Sequence, residues 1–213
     1  MKNIFNFLLE IGKLKDVRRK GITFYGVKKP DSATDHSFRM AWMIWLLGRD
    51  GKINMEKALK VALVHDICKI ITGDITPYDG FLPKDRKERN KLVKRWRRLS
   101  IKKKEEIYIN KFKKEYKALR KMTSKLPKDL KREIINLWLS YHQMKSSEAR
   151  LVHQIDVTEN LLEAFECWKK DKKFPTQPWW EHIDEVIDNP NLLKLSKEIE
   201  KEELKKTRKK RKN

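Results

Sequence analysis

Apolar residues recur every three or four positions along most of this chain, a spacing that predicts a protein built from helices. The first helix spans Asn3 to Leu14, where Ile4, Phe5, Phe7, Leu8, Leu9 and Ile11 fall at helical intervals, and it is expected to serve as core. Thr23 to Lys29 reads as a short extended piece, because Pro30 keeps Lys29 out of the helical region. The next helix runs from about Asp35 to Leu47 and stops at Gly48, with Ser32 or Thr34 as its cap and Asp31 and Asp35 complementing its positive end. It carries Phe38, Met40, Trp42, Met43, Ile44, Trp45, Leu46 and Leu47, so more than one of its faces should be covered. Asn54 caps a helix from Met55 to about Ile71, closed by Thr72-Gly73.

Beyond Pro83, Leu92, Val93, Trp96, Leu99 and Ile101, then Ile107, Ile109, Phe112, Tyr116 and Leu119, predict two amphipathic helices broken near Ser100 to Lys103. Leu126-Pro127-Lys128-Asp129 opens another, with Pro at an early position. Ser146-Ser147-Glu148 introduces a helix holding Leu151, Val152, Ile155, Val157, Leu161, Leu162 and Phe165. Phe174 to Trp180 reads as an irregular aromatic connection, followed by helices around His182 to Ile187 and from Leu192. The expected organisation is one all-α domain over residues 1–200, with a basic tail at 201–213 that should lack fixed structure.

Charge changes that picture more than length does. The 213 residues hold 52 Lys and Arg against 30 Asp and Glu, a net charge of +22, which predicts attraction to polyanions or anionic substrates. Between Lys84 and Lys121 there are 18 Lys and Arg against five Asp and Glu, and Trp96 lies among Arg95, Arg97 and Arg98, where it can anchor in the core or stack on a base. Cys68 and Cys167 stand alone without metal or redox spacing, and nothing at the N-terminus reads as a signal peptide. A cytoplasmic protein is therefore expected, or a nuclear one if the basic tail is a localisation signal. No apolar run suits a bilayer, so no membrane partner is expected.

The candidate chemistry sits in Ala62-Leu63-Val64-His65-Asp66-Ile67-Cys68-Lys69-Ile70-Ile71, where an imidazole and a carboxylate are set among aliphatic neighbours. Burying both is costly unless each finds a partner, and one cation serves both. Asp156 stands in an equally apolar pattern with Glu159 one turn on, and His36 lies in the first turn of its own helix. His153, one turn before Asp156, reads as a surface residue or an outer partner. Two imidazoles and two carboxylates form a mixed nitrogen and oxygen set suited to one divalent ion such as Mn, Co, Fe or Ni, with Mg or Zn also open. Such an ion brings the proton of bound water within reach of neutral pH.

The order His36, His65-Asp66, Asp156 resembles the HD-domain metal-dependent phosphohydrolases. Pro30 to His36, Ala62 to Asp66, Gly73-Asp74-Ile75-Thr76-Pro77 and Glu148 to Asp156 look like the 5'-deoxynucleotidase branch, in matching order over about residues 5–82 and 123–200. The resemblance implies an all-α HD fold, a metal held by His36, His65, Asp66 and Asp156, and a homodimer. It implies hydrolysis of the 5'-phosphate of (deoxy)nucleoside monophosphates by attack of a metal-bound water. Arg19 matches a phosphate-gripping Arg and Asp74 an acid needed for turnover; Arg19, Lys69, Asp74, Thr76, Pro77 and Glu159 are the expected substrate-side residues.

Two positions depart from the branch: Lys69 stands where it usually has Glu, and Ile22 where it usually has Trp. Lys69 resembles the HDxxK form of other HD phosphohydrolases, where it points at substrate phosphate, or else marks an impaired enzyme. The alternatives are accordingly a phosphodiesterase or nuclease on short oligonucleotides, and a scaffold that binds nucleic acid through its basic insertion and tail. The stretch of about 84–106 looks like an addition to the family pattern and is expected to be peripheral.

Overall fold

The computed structural model describes residues 1–49, 52–76, 79, 83, 85, 87–89, 91–92 and 100–210, with 206–210 as backbone only. The helices are α1 (Lys2–Ile11), α2 (Lys20–Thr23), α3 (Ala33–Leu47), α4 (Met55–Val64), α5 (Lys69–Thr72), α6 (Ile101–Met122), α7 (Lys128–Gln143), α8 (Ser147–Lys170), α9 (Gln177–Val186) and α10 (Pro190–Lys210). No strand occurs among the described residues, and the one isolated bridge joins Arg18 to Ser32. That bridge has a use. Arg19 N donates to Asp31 O at 3.1 Å and Ala33 N to Val17 O at 2.9 Å, which pins the loop before α2 to the start of α3.

Side-chain caps fix where the principal helices begin. Ser32 Oγ accepts from Asp35 N at 3.2 Å while Asp35 Oδ2 accepts from Ser32 N at 2.8 Å, a reciprocal capping box that starts α3 one turn before His36. Asn54 Oδ1 accepts from Lys57 N at 2.9 Å for α4, Ser100 Oγ from Lys103 N at 3.3 Å for α6, and Ser146 Oγ from Ala149 N at 3.2 Å for α8.

The core is organised around α8, which buries residues on more than one face. Met40, Met43 and Ile44 of α3 pack with Ala58, Val61 and Ala62 of α4, Leu151, Val152 and Ile155 of α8, and Leu192 of α10. A second cluster joins Ile67 and Cys68 to Ala118, Leu119 and Met122 of α6 and to the fully buried Trp138 of α7. The metal-ligand candidates lie where these two clusters meet.

Several expectations need correction. The helix expected over Met55 to Ile71 breaks at His65 to Cys68: Trp138 Nε1 takes the His65 carbonyl at 3.1 Å, and Lys69 N bonds back only three residues, to Asp66 O at 3.0 Å. Phe174 to Trp180 is not wholly irregular, since α9 begins at Gln177 with Pro178 in its first turn, where a missing N–H costs nothing. Lys20 to Thr23 forms a short helix, and α10 starts at Pro190. Residues 201–210 of the stretch expected to lack structure continue α10 as helix, with the Lys201–Glu198 and Lys205–Glu202 pairs one turn apart, and 211–213 lie outside the described residues.

Neither α1 nor α3 is covered as expected. Phe5, Leu8 and Leu9 of α1 are exposed, and so are Phe38, Trp42, Trp45 and Leu46 along one side of α3. Ser100 marks the start of α6 within the predicted break, whereas Arg95, Trp96, Arg97 and Arg98, and much of the stretch 84–106, lie outside the described residues. No helix among the described residues is long and apolar enough to cross a membrane.

Candidate metal centre

His36 enters from the first turn of α3 and is almost fully buried. Its Nδ1 meets the carboxylate of Glu159, while its Nε2 faces Asp156 Oδ1 at 3.1 Å. His65 enters from the end of α4 with Nδ1–H donating to Ala62 O at 2.7 Å, which leaves Nε2 as the free lone pair. The two rings lie 5.4 Å apart. Neither Nε2 makes a hydrogen bond, although both are buried.

Asp156 completes the group from the middle of α8. Its Oδ1 accepts from Asn160 Nδ2 at 2.9 Å and its Oδ2 from Tyr141 OH at 2.5 Å. Ligand atoms of His36, His65 and Asp156 all lie within 4.8 Å of one another. Burial works to raise the Asp156 carboxyl, but His36 and His65 outweigh it and hold it well below the usual carboxylate range. His36 moves the other way: burial and Arg19 oppose its proton, and Glu159 and Asp156 prevail, so the ring is held above its ordinary value. Two orphaned imidazole nitrogens aimed at an anionic carboxylate fit a divalent cation, which needs the neutral rings and the charged acid.

Asp66 stands beside this group rather than within it. Its Oδ2 is 3.4 Å from His65 Nε2 but only 2.8 Å from Lys69 Nζ. Lys69 reaches on to Asp74 Oδ1 at 2.7 Å, and Asp74 Oδ2 accepts from Lys20 N at 2.8 Å. Gly73, at φ 68°, turns the chain so that Asp74 folds back over α5. Burial lowers the Lys69 ammonium, yet Asp66 and Asp74 outweigh it and keep it protonated. Burial likewise raises Asp74, and Lys69 overcomes it and holds the carboxyl below its ordinary value.

Arg19 approaches from the loop before α2. Its Nε is 3.1 Å from Glu163 Oε2, its Nη2 contacts Asn160 Oδ1, and its Nη1 is buried with no hydrogen bond. Burial pushes Glu163 up to about 7, with the neighbouring charges of Glu159 and Asp31 adding to the shift and Arg19 opposing it. Thr76 Oγ1 donates to Asp79 Oδ1 at 2.9 Å, and Lys20 Nζ pairs with Asp79 Oδ2 at 2.9 Å, so Thr76 sits at the rim beyond Asp74. Pro77 lies outside the described residues.

The expected role of Glu159 is corrected. It is 0% exposed and lies between His36 and Arg39, behind the ligand group rather than on its open side. His153 touches only the edge of the site, 5.8 Å from the Tyr141 ring. Tyr141, Asn160, Arg39 and Glu163 were not anticipated. Arg39 had a sequence signal, as the one Lys or Arg in α3, one turn after His36. Asn160, four residues after Asp156, had a weaker one.

Comparison with known proteins comes to the same place. A model of the HD domain matches residues 11–186. The 5'-deoxynucleotidase HDDC2 of Mus musculus is 32% identical over 200 residues, covering 93% of this chain and 87% of that protein. The Dictyostelium discoideum protein of the same name is 31% identical over 211 residues, covering 94% and 98%. Among solved structures, the PH0347 protein from Pyrococcus horikoshii superposes with a TM-score of 0.67 at 25% identity, over 93% of this chain and 98% of that one.

Proposed function

This chain belongs to the HD-domain family, and on that premise we propose that it is a divalent-metal-dependent phosphohydrolase that removes the 5'-phosphate from deoxynucleoside monophosphates. The observation that carries the reading is the pair of buried, hydrogen-bond-free Nε2 atoms of His36 and His65 facing Asp156. These three residues would hold the ion, with Asp66 as the fourth ligand we assign. The mixed donor set favours Mn, Co, Fe or Ni. A bound divalent ion supplies Lewis acidity and lets water act as a nucleophile near neutral pH.

The chain's own residues do the rest. Arg19 offers Nη1 to a phosphate oxygen while Glu163 and Asn160 hold the remainder of its fork. Lys69 has a third N–H beyond those given to Asp66 and Asp74, and it neutralises charge on the equatorial oxygens as the phosphoryl group transfers. Asp74 is ionised at neutral pH and enters as the proton acceptor. One P–O bond forms to water and the P–O5' bond breaks; Asp74 takes a proton from the water and returns it to the leaving oxygen. Thr76 is assigned to the nucleoside side of the site.

Phosphate release from a panel of deoxy- and ribonucleoside monophosphates, with short oligonucleotides alongside, tests this. Deoxynucleoside monophosphates are expected to be cleaved, and His65→Ala and Asp66→Ala to be silent. Cleavage confined to oligonucleotides would replace the monoesterase reading with a phosphodiesterase.

A homodimer is the assembly we propose. The exposed stripe of Phe38, Trp42, Trp45 and Leu46 supports it, with Trp42 and Trp45 stacked at 5.2 Å, since contiguous apolar patches mark contact surfaces. Light scattering should give twice the chain mass, and one chain mass after Trp42→Glu with Trp45→Glu. A monomeric wild type refutes it. Non-specific attraction to nucleic acid is a second property, supported by the charge of +22 and the exposed Lys102, Lys103, Lys113, Lys114 and Lys117 of α6; it predicts salt-sensitive binding that survives His65→Ala. Two free cysteines, one of them buried, support a reducing compartment such as the cytoplasm.

A further inference from the structure

Arg39 lies at the outer edge of the metal centre, one turn after His36 on the same helix. Each of its three guanidinium nitrogens meets a different carboxylate. Nε donates to Glu159 Oε1 at 2.8 Å, Nη1 to Glu166 Oε1 at 2.8 Å and Nη2 to Asp31 Oδ2 at 2.7 Å. The other oxygen of Glu159 is the one that meets His36 Nδ1.

Glu159 has no exposed surface, and a carboxylate in that position is stable as an anion only while cations or donors hold it. A planar fork does more than neutralise it. Because Arg39 is itself anchored on Asp31 and Glu166, which belong to the loop before α3 and to α8, its Nε can address Glu159 from one direction alone. The Glu159 carboxylate is thereby turned so that one oxygen faces Arg39 and the other faces His36. A carboxylate at Nδ1 fixes an imidazole as the Nδ1–H tautomer and leaves the Nε2 lone pair for a cation.

We propose that Arg39 is a positioning residue for the divalent ion: through Glu159 it fixes the tautomer and ring orientation of His36, and so sets metal affinity without touching ion or substrate. The inference deepens the functional reading above and rests on it. The competing role is mechanical, since the same three contacts fasten α3 to α8. A fastener is felt in thermal stability; a positioning residue is felt in metal affinity.

The test is Mn(II) titration of the full chain after chelator treatment, followed by EPR of the free ion, with melting temperature measured on the same samples. Arg39→Gln is expected to raise Kd by about 10–100-fold. Glu166→Gln cuts the solvent-facing branch of the same fork and should leave Kd within about threefold, because Asp31 still anchors the guanidinium and Nε still meets Glu159. The double variant Arg39→Gln with Glu159→Gln should bind no more weakly than Glu159→Gln alone, as both act along one line. Arg39→Lys covers the case in which Arg39→Gln fails to fold: a point charge without the fork is expected to raise Kd by about 3–10-fold.

A wild-type Kd in the Arg39 variants overturns the proposal, as does a Glu166→Gln effect equal to that of Arg39→Gln, or full additivity in the double variant. A wild-type chain that takes up no Mn(II) defeats the functional reading and this inference together. Normal wild-type uptake with unmoved variants defeats only the role of Arg39.

Discussion

Replacing Lys69 with methionine removes the cation that Asp66 and Asp74 share while keeping most of the side-chain volume. The three side chains are 10%, 11% and 13% exposed, so solvent does little to compensate the two carboxylates left behind. Taking one partner from a buried ion pair costs about 3–5 kcal/mol. For a chain of this size that is about 6–20 °C in melting temperature. The shifts that Lys69 imposes on Asp66 and Asp74 are downward, so in the wild type their contribution is complete at neutral pH and is lost as pH falls below the ordinary value of 3.8. In Lys69→Met that depression is relieved, and the penalty should shrink as pH is lowered from 7 toward 5 and a carboxylate takes up a proton.

Metal gives the experiment its second arm. A divalent ion that engages Asp66 neutralises the charge that Lys69 leaves behind, so added Mn(II) should narrow the gap between variant and wild type. A Mn(II) concentration about 100 times the wild-type Kd contributes about 2.7 kcal/mol to the wild type, and more to the variant, whose freed ligand lowers its Kd. Thermal melts of chelator-treated and Mn(II)-loaded protein at pH 5, 6, 7 and 8 supply the comparison. Metal-free melting within about 2 °C of wild type at pH 7, or a gap that metal leaves unchanged, would refute the assignment of Lys69 as a shared counter-charge beside the ligand group.

Three further outcomes follow from single contacts. Tyr141→Phe deletes the donor to Asp156 Oδ2 and should cost about 1–2 kcal/mol in a melt, with weaker Mn(II) uptake as a companion effect. Ser32→Ala opens the capping box of α3 and should cost about 1 kcal/mol, read as a lower denaturation midpoint at unchanged slope. Glu163, raised by burial from its ordinary 4.5 to about 7, contributes most below pH 4.5, and that contribution is lost as pH rises through 7. Glu163→Gln should therefore flatten the fall in stability between pH 5 and 8, by at most about 3 kcal/mol at the upper end.

The helices were legible because their apolar spacing and caps are local: Ser32 with Asp35, Asn54 with Lys57 and Ser146 with Ala149 all lie within one turn. His65 and Asp156 were legible as polar residues in apolar stretches and His36 from its place in the ordered His36, His65-Asp66, Asp156 pattern, and the fold brings His36, His65 and Asp156 together. What remained hidden depends on neighbours distant in sequence. The break at His65 is made by Trp138, seventy-three positions away, and the fully buried place of Glu159 is made by His36 and Arg39. Tyr141 acts through a contact to Asp156 that no local pattern announces. Apolar spacing in α1 and α3 revealed which side chains shun water but not whether the same chain covers them, which is why Phe38, Trp42 and Trp45 were expected in the core and stand outside it.

The central claim is that His36, His65 and Asp156 converge on one divalent ion, with Asp66 joining them. Mn(II) uptake by the chelator-stripped full chain, counted per chain at saturation, addresses that claim most directly. The account predicts one ion for the wild type and loss of uptake at the same concentration in His65→Ala and Asp156→Asn. Uptake in both variants equal to that of the wild type would contradict it.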